Sequence, residues 1–230
     1  MALRGGAIMP PRNFLTALKI KIDKKDKMKK LKVASLLVSS LAIVLLAPSV
    51  TRAGDVKGKV TAQGMKLAEN IAVYVDAIAG KKFDAPSQHV LVDQKSMKFL
   101  PHVVVVTQGT TVDFQNSDPV GHNVYWPSVS GNKKLAHNLG TWPKGDKKSF
   151  QFNDLGAASM LCNVHPEMSG YVVVVPTTYF ALTDKDGNFG IKGVPAGQYT
   201  LKTWSEDAKP TTQAATVPNT TTTVDLTVKK

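Results

Sequence analysis

The single cysteine of the chain lies in the run Cys162-Asn-Val-His165-Pro-Glu-Met168. A thiol, an imidazole and a thioether therefore share one short segment. A second imidazole, His122, stands in Gly121-His-Asn-Val124, after the loop Asn116-Ser-Asp-Pro-Val120. Two histidines and a cysteine in a plane, with a weak axial methionine, are the donor set of a blue-copper centre. Thiolate and thioether are soft and suit Cu(I), whereas imidazole serves both oxidation states. Such a cage, held on a rigid sandwich, rearranges little when an electron moves. Zinc also accepts Cys and His, but a methionine as fourth donor favours copper. The expected ligands are His122, Cys162, His165 and Met168. Asn123, beside His122, is placed to hydrogen-bond across to the Cys162 loop and orient it, as groups behind metal ligands do.

Strands must position these groups. After residue 54, helical periodicity is weak. Short runs rich in Val, Thr, Tyr and Phe recur instead, broken by Gly, Pro, Asn and Asp. That pattern indicates an all-β sandwich or barrel. Strands are expected at 55–61, 71–77, 89–93, 102–107, 111–116, 123–126, 147–152, 158–162 and 171–175. More are expected at 179–183, 189–192, 197–203, 214–217 and 222–228. This is too many for one small sandwich and predicts two, each with its own core. Asp184-Lys-Asp-Gly-Asn-Phe189 reads as a tight hairpin turn. Residues 178–228 alone are thin for an independent core, so residues 55–80 are expected to complete them, with the second sandwich inserted between. The expected organisation is a leader over 1–53, one sandwich from 55–82 plus 177–230, and a copper domain over 83–176.

The chain has 230 residues and a formal charge of +12. Residues 1–53 hold 11 Lys+Arg against 2 Asp+Glu, and residues 54–230 hold 18 against 15. The basicity is concentrated at the front, so a nucleic-acid partner loses its support. Met28-Lys-Lys-Leu-Lys32 is a basic run, Val33 to Ala47 is apolar, and small residues surround Ala53. This is the order of a bacterial secretory signal, with initiation expected at Met28 and cleavage near Ala53. The apolar stretch is shorter than the ~20 residues of a membrane span, so membrane attachment follows only if the leader stays uncleaved. The expected destination is the bacterial periplasm or exterior. One cysteine excludes an intrachain disulfide framework.

Residues 97–175 resemble the cupredoxins, most closely the amicyanin and plastocyanin branch. The resemblance is carried by Phe99-Leu-Pro101, Gly109-Thr-Thr-Val112-Asp-Phe114-Gln-Asn116 and Gly121-His-Asn-Val124. It continues through Phe152, Gly156, the Cys162–Met168 loop and Gly170-Tyr-Val-Val-Val174. It implies a Greek-key β-sandwich, one type 1 copper per chain on the four residues named above, and single-electron transport rather than enzymatic turnover. The electron exit would be the His165 edge, near Pro166 and Pro119, and the partner a cytochrome, a quinoprotein dehydrogenase or a terminal oxidase. Two departures stand out. The strand before the cysteine reads Ala157-Ala-Ser-Met-Leu161 instead of an aromatic sequence, and Glu167 puts a charge in the ligand loop. The flanking segments resemble a carboxypeptidase-regulatory-like, or transthyretin-like, module through Val56-Lys-Gly-Lys-Val60, Thr183-Asp-Lys-Asp-Gly-Asn-Phe189 and Val194-Pro-Ala-Gly-Gln-Tyr199.

Rival functions are a copper carrier or sensor without electron transfer, and a structural sandwich with a vestigial metal site. An oxidase or reductase needs further metal sites. His89 and His102, expected on strands, and His137, expected in a loop, form no second cluster. Asp184 and Asp186 fail as a calcium loop, because position 195 is Pro where a glutamate is required. No G-x-S-x-G nucleophile and no phosphate-binding glycine loop is present.

Overall fold

The computed structural model describes residues 53–230. The expected leader therefore lies outside the described residues, apart from Ala53, which opens the first strand. No helix among the described residues is long and apolar enough to cross a membrane.

The strands are β1 (Ala53–Gln63), β2 (Ala72–Val75), β3 (Val90–Gln94), β4 (Phe99–Leu100), β5 (Val103–Thr107) and β6 (Thr110–Asn116). They continue with β7 (His122–Trp126), β8 (His137–Trp142), β9 (Lys147–Phe152), β10 (Gly156–Leu161), β11 (Ser169–Val175) and β12 (Phe180–Leu182). The last are β13 (Asn188–Pro195), β14 (Gly197–Trp204), β15 (Thr212–Val217), β16 (Thr222–Thr223) and β17 (Leu226–Lys229). A 3-10 turn at Lys133–Leu135 precedes β8.

The middle of the chain makes two sheets, ordered β5-β11-β10-β7-β8 and β4-β3-β6-β9. Their facing sides close on a core that includes Phe99, Phe114, Trp126, Trp142, Phe152, Met160 and Val172. The ends of the chain make the other two sheets, β12-β2-β14-β15 and β13-β1-β16, with β17 also paired to β1. Their core contains Val56, Val60, Ile71, Ile191, Leu201 and Val228.

Four features differ from the sequence expectation. His137 lies on β8, paired beside β7, and not in a loop. Its segment is polar because most of β8 is exposed, so hydrophobic alternation gave no signal. The tail forms two short strands, both parallel to β1. The turn at Asp184–Phe189 does not pair its flanks in one sheet: β12 joins β2, while β13 joins β1. Asp184 still shapes that turn, its carboxylate accepting N–H bonds from Asp186 and Asn188. His89 and His102 each fall just before their strands.

The run Val103-Val-Val-Val106 has no alternation because β5 is covered on both faces, as an apolar strand run implies. Val104 and Val106 enter the central core, while Val103 and Val105 enter a third cluster. β11 divides the same way, with Val172 and Val174 on one side and Val173 and Val175 on the other. Tyr74, Phe180, Leu182 and Trp204 of the terminal segments cover this outer face.

Gly58 permits a close approach: a Cβ there would lie 1.9 Å from the Val224 carbonyl oxygen. Backbone cannot yield as a side-chain tip does. Gly58→Ala is expected to destabilise the chain by about 1–3 kcal/mol, read by urea unfolding. Acid stability depends on Asp113. Burial pushes its carboxyl upward, but hydrogen bonds from Lys147, Ser149 and His89 outweigh this and hold its pKa at about 2. A lowered folded-state pKa contributes stability above the unfolded value of 3.8, and that contribution fades as pH falls towards 2. Asp113→Asn should flatten the loss of stability across that window, seen in denaturation midpoints at successive pH values.

Candidate metal centre

His122 opens β7 and is fully buried. Its Nε2 lies 2.8 Å from the Asp118 Oδ2. The same carboxylate accepts the Ser96 N–H at 2.6 Å and the Met97 N–H at 2.8 Å. Burial acts to raise the Asp118 pKa, yet these hydrogen bonds and His122 bring it below its usual value. An ionised carboxylate only accepts, so Nε2 donates to it and Nδ1 is the nitrogen left to face the site.

The donors to Asp118 come from the β3–β4 turn. Ser96 and Met97 have φ of 54° and 55°, and Lys95 and Lys98 exchange backbone hydrogen bonds across them. Two positive φ values make the two-residue hairpin turn that matches strand twist. Neither residue is the glycine or asparagine that favours it, so the turn carries strain. Asn116 holds the other side, accepting the Asp118 N–H and donating to the Val120 and Trp142 carbonyls.

Cys162 follows β10 directly and is buried. The Asn123 N–H points at its Sγ across 3.4 Å. The Asn123 side chain accepts the Asn163 N–H at 3.3 Å and donates to Asn138 at 2.8 Å. His165 is half-buried in the loop between β10 and β11, with exposed Val164, Pro166 and Glu167 around it. Its Nδ1 lies 3.0 Å from the His122 Nδ1. Met168 ends the loop, buried in the same core as Cys162, and its N–H closes a turn on the His165 carbonyl at 3.0 Å.

The donor atoms of His122, Cys162 and His165 all lie within 4.8 Å of one another. Two ring nitrogens 3.0 Å apart can share a proton or a cation between them. The donor set thus fits a soft-to-borderline metal ion such as copper. The structure brings together residues some 40 positions apart in sequence. Asp118 was not foreseen: its only sequence signal is an acid four residues before His122, and its role depends on the β3–β4 turn. The other histidines have separate partners. His89 meets Asp113, His102 meets Glu206, and His137 stacks on Trp126 and Phe150.

Fold and donor set define an all-β protein with one mononuclear metal centre. A family model described as copper binding proteins of the plastocyanin/azurin family matches residues 87–175. Amicyanin of Paracoccus versutus is 30% identical over 92 residues, spanning 40% of this chain and 68% of its own. Amicyanin-alpha of Methylorubrum extorquens is 32% identical over 92 residues, spanning 40% of this chain and 76% of its own. Among solved structures, a reduced amicyanin variant at 25% identity covers 44% of this chain and 97% of its own, with a TM-score of 0.35. A purple cupredoxin from Nitrosopumilus maritimus, also 25% identical, covers 37% and 98%, with a TM-score of 0.33. The chain belongs to the plastocyanin/azurin family of copper binding proteins. It is a copper protein.

Removing a group that orients a metal-bound histidine typically costs 10–100-fold in affinity. Asp118→Asn should weaken copper binding by roughly that factor, measured by competitive chelator titration.

Proposed function

We propose that this chain carries single electrons through a type 1 copper held by His122, Cys162, His165 and Met168, with Asn123 orienting the Cys162 loop. The observation that carries the reading is asymmetric burial. His122 and Cys162 are sealed in the core, while His165 is half-buried between exposed Val164 and Pro166. A buried centre with one ligand edge at the surface admits electrons and excludes water. Bound copper supplies a one-electron couple between Cu(II) and Cu(I). The protein's part is to hold both imidazoles, the thiolate and the thioether in one arrangement for both states. Small, transient contacts suit such exchange, and a cytochrome or quinoprotein dehydrogenase is the proposed partner class.

The signal-like order of residues 28–53 supports a bacterial periplasmic or secreted location. The separate cores support residues 83–176 as the copper domain and 55–82 plus 177–230 as a flanking sandwich. The turn sequences at Thr183–Phe189 and Val194–Tyr199 support its carboxypeptidase-regulatory-like character.

The test is copper titration of residues 54–230 with visible absorption and EPR. One copper per chain, an intense blue band and narrow hyperfine splitting are expected. Cys162→Ser should abolish the band, because the thiolate is its electron source, whereas Met168→Leu should retain it. Colourless protein, or ordinary tetragonal Cu(II) signals, would remove the type 1 assignment. A blue chain that exchanges electrons only slowly with small redox reagents would be a carrier or sensor instead.

A further inference from the structure

The strand that leaves the ligand loop is fastened from outside the copper domain. Met168 is followed at once by β11, whose first residues are Ser169, Gly170 and Tyr171. The Tyr171 N–H donates to the His102 carbonyl at 2.8 Å. The His102 ring then spans two groups: Nδ1 lies 3.2 Å from the Ser169 carbonyl oxygen, and Nε2 lies 2.7 Å from Oε2 of Glu206. The second oxygen of Glu206 accepts the Tyr171 hydroxyl at 2.9 Å. One carboxylate thus grips both residues that hold the start of β11.

Glu206 belongs to the flanking segments, two residues beyond the end of β14. The adjoining Trp204 ring packs on Tyr171 with centroids 5.1 Å apart, and His102 meets Tyr171 edge-on at 5.6 Å. Burial, and then the Glu206 carboxylate, push the Tyr171 hydroxyl up to about 12. Gly170 shows how little slack this region has. A Cβ there would lie 2.9 Å from the His102 carbonyl and from Met160 Cε, and 3.0 Å from Phe99.

We propose that Glu206 is a positioning residue for the metal centre: it clamps His102 and Tyr171, and so fixes the start of β11 and with it Met168. The flanking sandwich is then part of the device that sets the axial ligand. An isolated exposed ion pair contributes little, but a network sharing one carboxylate contributes more. The link to Met168 rests on the copper assignment above, whereas the clamp is a property of the metal-free chain.

Two readouts keep these separate, both on residues 54–230. In the metal-free protein, Glu206→Ala and Glu206→Asp should speed amide exchange at Gly170 and Tyr171 by about fivefold relative to Val124. Tyr171→Phe, a milder change that removes only the hydroxyl, should move exchange the same way. In the copper-loaded protein, both Glu206 variants should shift the reduction potential and the anisotropy of the EPR signal. Glu206→Asp keeps the charge, so a shift common to both reports position and not the lost charge. Faster exchange confined to residues 205–211, or copper signals identical to wild type, overturns the proposal. If the wild-type chain takes no copper, the copper assignment fails and the exchange comparison alone decides the clamp.

Discussion

The centre depends on how the Asp118 carboxylate is satisfied. A buried carboxylate is costly unless donors surround it. Here the donors are the Ser96 and Met97 N–H groups and the His122 ring. The first two come from the sheet containing β3 and β4, and the third from the sheet containing β7. One carboxylate therefore ties the two layers together at the end where the proposed metal ligands lie. It also decides which His122 nitrogen faces the site, because it accepts a hydrogen bond from the other. The strained turn at Ser96 and Met97 makes sense in this light, since it aims two N–H groups at one acceptor.

A second constraint is rigidity. The proposed electron transfer needs a ligand cage that changes little between states. Cys162 lies directly after β10, and Met168 lies directly before β11. These strands pair along their whole length, from Gly156 with Val174 to Leu161 with Ser169. The ligand loop is thus a short bridge between paired strands, with His165 at its exposed crest. β11 is packed on both faces, by the central core and by residues of the flanking segments. The apolar runs of β5 and β11 reflect that double covering.

The proposed donor residues stood out in the sequence because three of them share a loop and carry distinctive chemistry. Most strands were legible because half-buried strands alternate and turns use Gly, Asn, Asp and Pro. β8 was not, since a strand exposed along most of its length shows no hydrophobic signature. The crossing of the chain between sheets at Asp184–Phe189 was also hidden. A tight turn looks the same whether its flanks pair with each other or with different neighbours.

Residue identity alone determined which ligand chemistry is available: a thiol, an imidazole and a thioether at short spacing, with a second imidazole upstream, on a β-rich chain. Those are properties of side chains and local periodicity, which sequence carries directly. The tertiary structure decided which imidazole is sealed and which is half-buried, that Asp118 decides which His122 nitrogen faces the site, and that Glu206 reaches the far side of β11. Each of these depends on groups far apart in the chain meeting through sheet register and packing. No local pattern encodes such meetings, because the partners acquire their distances only when the layers close.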